Sequence, residues 1–183
     1  LYEEALRHPQ VVGIVIGTRP DCVDPQKLDY LAELSRGNVL KGWRRSLSDG
    51  QVRTAPIVIV EYGIESCNDD TLVRINRGHD FQTARKAVMM TAERGLDAGA
   101  HFILGLPGET RKMMLDSCRM INELPVRSAK FHQLQIVKGT RMEKEYADVD
   151  HPHPGIRMYY SVLLFSYWIG RVRGNTEDVI NTL

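Results

Sequence analysis

The sequence predicts an α/β fold, a partial TIM-type barrel of about four parallel strands joined by βα crossovers, and three observations carry that expectation. First, the β-branched runs at residues 11–17, 57–65, 99–106 and 130–137 lack strict polar alternation, as strands covered on both faces do. Second, stretches of helical spacing separate these runs, and parallel neighbours need such right-handed crossovers. Third, residues 100–110, AHFILGLPGET, read as strand, glycine-rich turn and helix in succession. In sheets of this kind ligands sit beyond the carboxyl ends of the strands. Function is therefore sought in the loops after Gly17, Glu65, Leu106 and Val137.

The elements follow in order. A polar helical stretch, LYEEALRHPQ, opens the chain. After the first strand, Asp24 caps a helix with Pro25 at its first position, and Leu28, Leu31 and Leu34 form its buried stripe before Gly37. The second strand leads into a short helix begun by Asn68. A longer helix from Asp80 to Arg94 follows, closed by Gly95, with Ala84, Ala87, Val88 and Thr91 on one face. Beyond GLPG, a helix capped by Glu109 or Thr110 buries Met114, Cys118 and Ile121 until Leu124 and Pro125 stop it. Residues 36–56 are polar, hold three glycines and read as a long loop. Residues 146–155, with their HPHPG, read as a linker into a final apolar helix over about residues 156–172. The domain reading is a partial barrel over 1–146, then a linker and helical tail over 147–183. Four strands do not close a barrel of eight, so one sheet edge is expected to be bare and open to self-association.

Composition excludes several classes. A chain of 183 residues with 43% hydrophobic content buries one good core. Its 24 basic and 23 acidic residues leave a net charge of +1, so no broad field draws nucleic acid or an acidic membrane. No uninterrupted apolar run reaches the roughly 18 residues of a membrane span. Cys22, Cys67 and Cys118 form neither an even set nor a CxxC pair, which suits a reducing cytoplasm and spaces no metal site.

Several residues are candidates for chemistry. In GLPGET two glycines let backbone approach a ligand and the next helix offers free amides, although the turn serves equally as a plain βα connection. It lacks the lysine and serine of a Walker-type phosphate loop. Glu61 and Glu65 lie four apart on a strand and so share a face, where they need either an arginine, Arg74 or Arg77, or a polar ligand. Arg77 either forks onto a carboxylate above the sheet or lies at the surface. His101 opens the third strand as a hydrogen-bonding group for a ligand or as a satisfied core histidine. His151 and His153 lack a third metal ligand at suitable spacing. Cys22 and Cys67 both follow strands, facing one mouth or packing inertly. Two rival functions remain: an aldolase-like phosphate-binding barrel using Lys130 or Lys138 as Schiff-base nucleophile, and a non-catalytic binding or scaffold domain.

Taken in order, IGTRPDCV, EYGIES, LVRINRGHDF, HFILGLPGET and LQIVKGT resemble the later strands of radical S-adenosylmethionine (radical SAM) enzymes over residues 1–146. The resemblance is nearest to a bacterial group of iron–sulfur oxidoreductase-like proteins. It implies S-adenosylmethionine and a 4Fe-4S cluster as cofactors of the intact protein, which would reductively cleave the former to a 5'-deoxyadenosyl radical; the substrate is left open. By the same resemblance Glu65 and Ser66 would approach the ribose, Arg77 the methionyl carboxylate and His101 the nucleoside side. Ile103 and Gly105 would flank the adenine, with the backbone of Ile136, Val137 and Lys138 touching it from the next strand. Glutamate at 65 stands where relatives often carry glutamine. The family's loop of three cluster-binding cysteines has no counterpart here, since Cys22, Cys67 and Cys118 do not reproduce its spacing. The chain therefore reads as the carboxyl-terminal part of such a domain, with no cluster expected in this portion.

Overall fold

The computed structural model describes residues 1–147 and 168–170. Helix α1 (Tyr2–Arg7) precedes strand β1 (Gly13–Thr18), a 3-10 turn (Pro20–Cys22) and helix α2 (Pro25–Ser35). Two short strands, β2 (Arg45–Ser46) and β3 (Val52–Arg53), come before the long β4 (Ile57–Glu65). Helices α3 (Asp69–Arg74) and α4 (Phe81–Glu93) lead to β5 (Asp97–Leu104), and α5 (Arg111–Asn122) leads to β6 (Ser128–Gln133). Helix α6 (Arg141–Ala147) and strand β7 (Trp168–Gly170) complete the described elements.

One sheet organises the fold in the order β1-β4-β5-β6-β7. Strands β1, β4, β5 and β6 are parallel, and β7 runs antiparallel to β6. The four parallel strands with helical crossovers are those the sequence predicts. Their helix-facing residues, Val58, Val60, Tyr62 and Ile64 on β4, Ala98, Ala100 and Phe102 on β5, and Ala129 and Phe131 on β6, are all buried. The predicted helix stripes pack against them: Leu28, Leu31 and Leu34 from α2, and Ala84, Ala87 and Val88 from α4. One polar contact fixes this interface. Thr91 spends its hydroxyl hydrogen on Ala87 O (2.8 Å), so Tyr62 donates to Thr91 Oγ1 at 2.6 Å.

The predicted caps form. Asp24, Asn68 and Asp80 accept from the backbone N–H of Lys27 (2.9 Å), Thr71 (3.2 Å) and Thr83 (2.7 Å). Each cap contributes about 1 kcal/mol by offsetting an orphan amide of the first turn. Of the two candidates before α5, Thr110 is the cap, accepting from Met113 N at 3.3 Å.

Three expectations are corrected. Residues 36–56 are not a bare loop: β2 and β3 pair antiparallel, and Leu40 and Trp43 are buried in the core. Trp43 Nε1 donates to Leu6 O (2.9 Å), while Arg45 donates to Leu6 O (2.7 Å), His8 O (2.9 Å) and Val11 O (3.1 Å). These bonds tie the end of α1 and the approach to β1 to this segment, a tertiary role that polar composition conceals. The fourth strand ends at Gln133 rather than at Val137, because Ile136 and Val137 are exposed and a turn closes with Thr140 N on Val137 O (3.3 Å). Their β-branching favours a strand that no core contact supports. In the tail, residues 168–170 are strand, not helix: Ile169 pairs with Ala129 and covers an edge that β6 would otherwise leave open. The rest of the predicted helix at 156–172, the HPHPG linker, and His151 and His153 lie outside the described residues. Strand β1 has only β4 beside it among the described strands.

Candidate functional site

Alternation along the parallel strands sends a second set of side chains to the face opposite the helices. From β4 these are Ile59, Glu61, Gly63 and Glu65; from β5 Gly99, His101 and Ile103; from β6 Ser128, Lys130 and His132. This is the interior face of the partial barrel, and its polar groups gather at the carboxyl ends of the strands.

The end of β4 is built around an irregularity. The register with β5 shifts between Gly63 and Glu65, and Glu65 takes a positive φ of 71°. A bulge of this kind re-aims side chains and releases backbone groups from the ladder. The released Gly63 carbonyl accepts from Arg77 Nη2 and lies 3.3 Å from His79 Nε2. The same guanidinium nitrogen stands 3.4 Å from Glu65 Oε1. Glycine at 63 leaves room for this pair, since a Cβ there would meet Glu65 Oε1 at 2.8 Å and Arg77 Nη2 at 2.9 Å and displace those side-chain ends. Burial raises the Glu65 carboxyl above the usual glutamate range, against the opposing pull of Arg77, His101 and His79. Arg77 Nε is buried and has no partner among the described residues.

A second cluster crosses the sheet. Glu61 Oε2 is 2.8 Å from His101 Nε2, and His101 Nδ1 is 2.7 Å from His132 Nε2, with the two rings stacked at a centroid distance of 4.9 Å. Glu61 leans over Gly99, where a Cβ would sit 2.9 Å from its Cγ. Burial, then the neighbouring His101 and Lys130, lowers the His132 imidazole below the usual histidine range, against the opposing pull of Glu61.

The GLPGET turn is tied to the same end of the sheet. Ser66 donates to Glu109 Oε1 at 2.5 Å and accepts from Asn68 N at 3.0 Å, with both side chains buried. Burial raises the Glu109 carboxyl, opposed by hydrogen bonds from Ser66 and Thr71. Gly105 opens the turn with φ 76°, a conformation that an L side chain strains to adopt.

Of the residues that sequence reading singled out, the structure brings Glu65, Arg77 and His101 to one face and one end of the sheet. Ile103 lies beside His132 in the strand register, half-buried on that face. Ser66 faces Glu109 instead, and Ile136 and Val137 lie in the exposed stretch after β6. Of the proposed acid–arginine pairings, Arg77 with Glu65 is present at this end. Two participants escaped sequence reading. His132 shares strand parity with Lys130, a period-2 signal that was available, whereas His79 lies in a loop where no periodicity marks it. Cys22 is exposed and Cys67 and Cys118 are buried. Burial pushes the Cys67 thiol up to about 12, so it packs as an inert thiol. Among the described residues no group of three or more His, Cys, Asp or Glu side chains could hold a metal ion. Nor is any helix there long and apolar enough to cross a membrane.

Residues 51–121 match the model of the radical SAM superfamily. Protein YhcC of Escherichia coli is 36% identical over 146 residues, covering 80% of this chain and 42% of that protein. Uncharacterized protein MJ0486 of Methanocaldococcus jannaschii is 34% identical over 146 residues, covering 80% of this chain and 40% of its own length. The chain thus spans about two fifths of these curated relatives. Coproporphyrinogen III oxidase (HemN) of Escherichia coli, described as a radical SAM enzyme, superposes with a TM-score of 0.55 at 16% identity, over 82% of this chain and 31% of that one. At that identity the likeness establishes the fold.

Proposed function

We propose, from the match of residues 51–121 to the radical SAM superfamily model, that the chain forms the cofactor-binding flank of a radical SAM iron–sulfur enzyme. The observation that carries this reading is the convergence of Glu65, Arg77 and His101 at the carboxyl end of the interior face. The residues present fit the nucleoside cofactor. Arg77 keeps a buried Nε without a partner among the described residues, a donor available to a carboxylate. Glu65 accepts hydroxyl hydrogens, and the half-buried Ile103 supplies an apolar surface for a base. In this reading Gly105 and the backbone of Ile136 and Val137 flank the base, and Ser66 acts on the ribose side by holding the GLPGET turn in place. The cysteines present do not fit an iron–sulfur cluster, given one exposed and two buried thiols. The cluster is accordingly assigned to other parts of a full-length protein. Bound at this face, S-adenosylmethionine would supply a carbon-centred radical on reductive cleavage in the full-length protein.

This chain's own side chains bind, orient and exclude water. Arg77 beside Glu65 offsets part of the cost of desolvating that carboxylate. The bulge at Gly63 fixes Arg77, since moving its guanidinium costs a hydrogen bond to that carbonyl.

The test uses the full-length protein purified without oxygen. It is expected to bind iron and sulfide, to release 5'-deoxyadenosine on reduction, and to bind S-adenosylmethionine by calorimetry. Arg77→Ala should weaken that binding about tenfold or more, as expected for a charge-assisted hydrogen bond of ~1.5–3 kcal/mol. Unchanged affinity removes Arg77 from the site, and absence of iron and sulfide overturns the assignment.

A further inference from the structure

Glu61, His101 and His132 stand on three neighbouring strands, and the cofactor reading leaves their mutual arrangement unused. The side chains of Glu61 and His101 are 25% and 22% exposed, so the chain of contacts is neither sealed in the core nor free in water. Both nitrogens of His101 are engaged, Nε2 with Glu61 and Nδ1 with His132. A carboxylate only accepts, so His101 Nε2 carries the hydrogen and its Nδ1 holds a lone pair. His132 Nε2–H must then donate to that lone pair. This leaves His132 Nδ1 bare, and it has no hydrogen-bond partner among the described residues.

We propose that Glu61, His101 and His132 form an acid–base relay on the interior face, in which His132 Nδ1 exchanges a proton with an N–H or O–H group of the substrate. The proposal rests on the radical SAM reading for the existence of a substrate at this face, and on the hydrogen-bond chain for everything else. The step balances within the cluster. The substrate N–H or O–H bond breaks and its electron pair stays on the substrate heteroatom while His132 Nδ1 takes the proton. His132 releases its Nε2 proton to His101 Nδ1, so that the positive charge comes to rest on His101 against Glu61. Reversal returns the proton to a product anion. His132 touches the substrate, and His101 and Glu61 act through it as positioning residues. The order of the chain is functional: the carboxylate lies at the far end, where it stabilises the charged intermediate state without itself meeting the substrate.

Other charged groups bear on the relay. Glu65, Arg77 and His79 lie at the end of β4 and in the loop after α3, and Lys130 shares the interior face of β6 with His132. Lys130 opposes a positive charge at His132 and stands opposite His101 in the strand register.

The test is a histidine ring nitrogen NMR titration of this chain between about pH 5 and 8, where imidazoles change charge. With both rings neutral, His101 and His132 are each expected to carry hydrogen on Nε2 and none on Nδ1. On acidification the pair should take up one proton, appearing on His101 Nδ1. Glu61→Gln, nearly isosteric, should weaken that uptake about tenfold, one unit of pKa. Glu61→Asp should recover part of it, and the exposed His8 should titrate identically throughout. Independent titration of His101 and His132, or a Glu61→Gln curve equal to the parent's, overturns the relay. The titration needs neither cofactor nor cluster, so a failure of S-adenosylmethionine to bind overturns the cofactor reading and leaves this result standing.

Discussion

The two faces of the same four strands differ in kind. On one face Tyr62, Ile64, Phe102 and Phe131 bury against helices, and a single hydroxyl pair, Tyr62 with Thr91, is the polar exception. On the other stand Glu61, Glu65, His101, Lys130 and His132, with Gly63 and Gly99 making room on β4 and β5. Strand pleating makes this division possible, since adjacent residues point to opposite sides and answer to different constraints. The helix face carries stability through dispersion and area removed from water. The interior face carries charge, held in place by hydrogen bonds that cost stability as readily as they supply it.

That contrast breaks most sharply at Phe102. Phe102→Ala on the helix face is expected to cost about 3–5 kcal/mol, the loss of a buried ring plus the cavity it leaves. Denaturant unfolding measures it, and a loss under about 1 kcal/mol would show that this face is not the core. Tyr62→Phe is a smaller probe of the same side. It removes the donor to Thr91 Oγ1 and is expected to cost about 1 kcal/mol, read as a shift in unfolding midpoint.

The interior face should respond with the opposite sign. Burial raises the Glu65 carboxyl in the folded state above its unfolded value, so the folded state holds that proton more tightly. The stability this contributes is complete below the ordinary glutamate value and is lost as pH rises through the raised one. At neutral pH Glu65 is therefore a cost, and Glu65→Gln is expected to gain up to about 1 kcal/mol in unfolding experiments at pH 7. The advantage should vanish on acidification below the ordinary range, and a variant less stable than the parent at pH 7 would reverse the contrast between the faces.

Much of the helix face was legible in advance. Leu28, Leu31 and Leu34, or Ala84, Ala87, Val88 and Thr91, recur at helical spacing, and Asp24, Asn68 and Asp80 stand where caps belong. The site was legible in part. Parity along one strand places Glu61 with Glu65, but no pattern within a strand says that Glu61 meets a histidine on β5 while Glu65 meets Arg77 from a loop. The hairpin at β2 and β3 was hidden for a related reason, since its value lies in carbonyls of α1 that are some forty residues away in the chain.

The sequence alone determined the strand–helix rhythm, the direction of crossover and the buried stripe of each helix, because these depend on near-neighbour periodicity and general handedness. Only the tertiary structure decided which polar residues meet. Register between strands, the bulge at Gly63 and the turn of Arg77 back over the sheet arise from contacts distant along the chain. Their energies depend on distance in space, for which spacing in sequence is no guide.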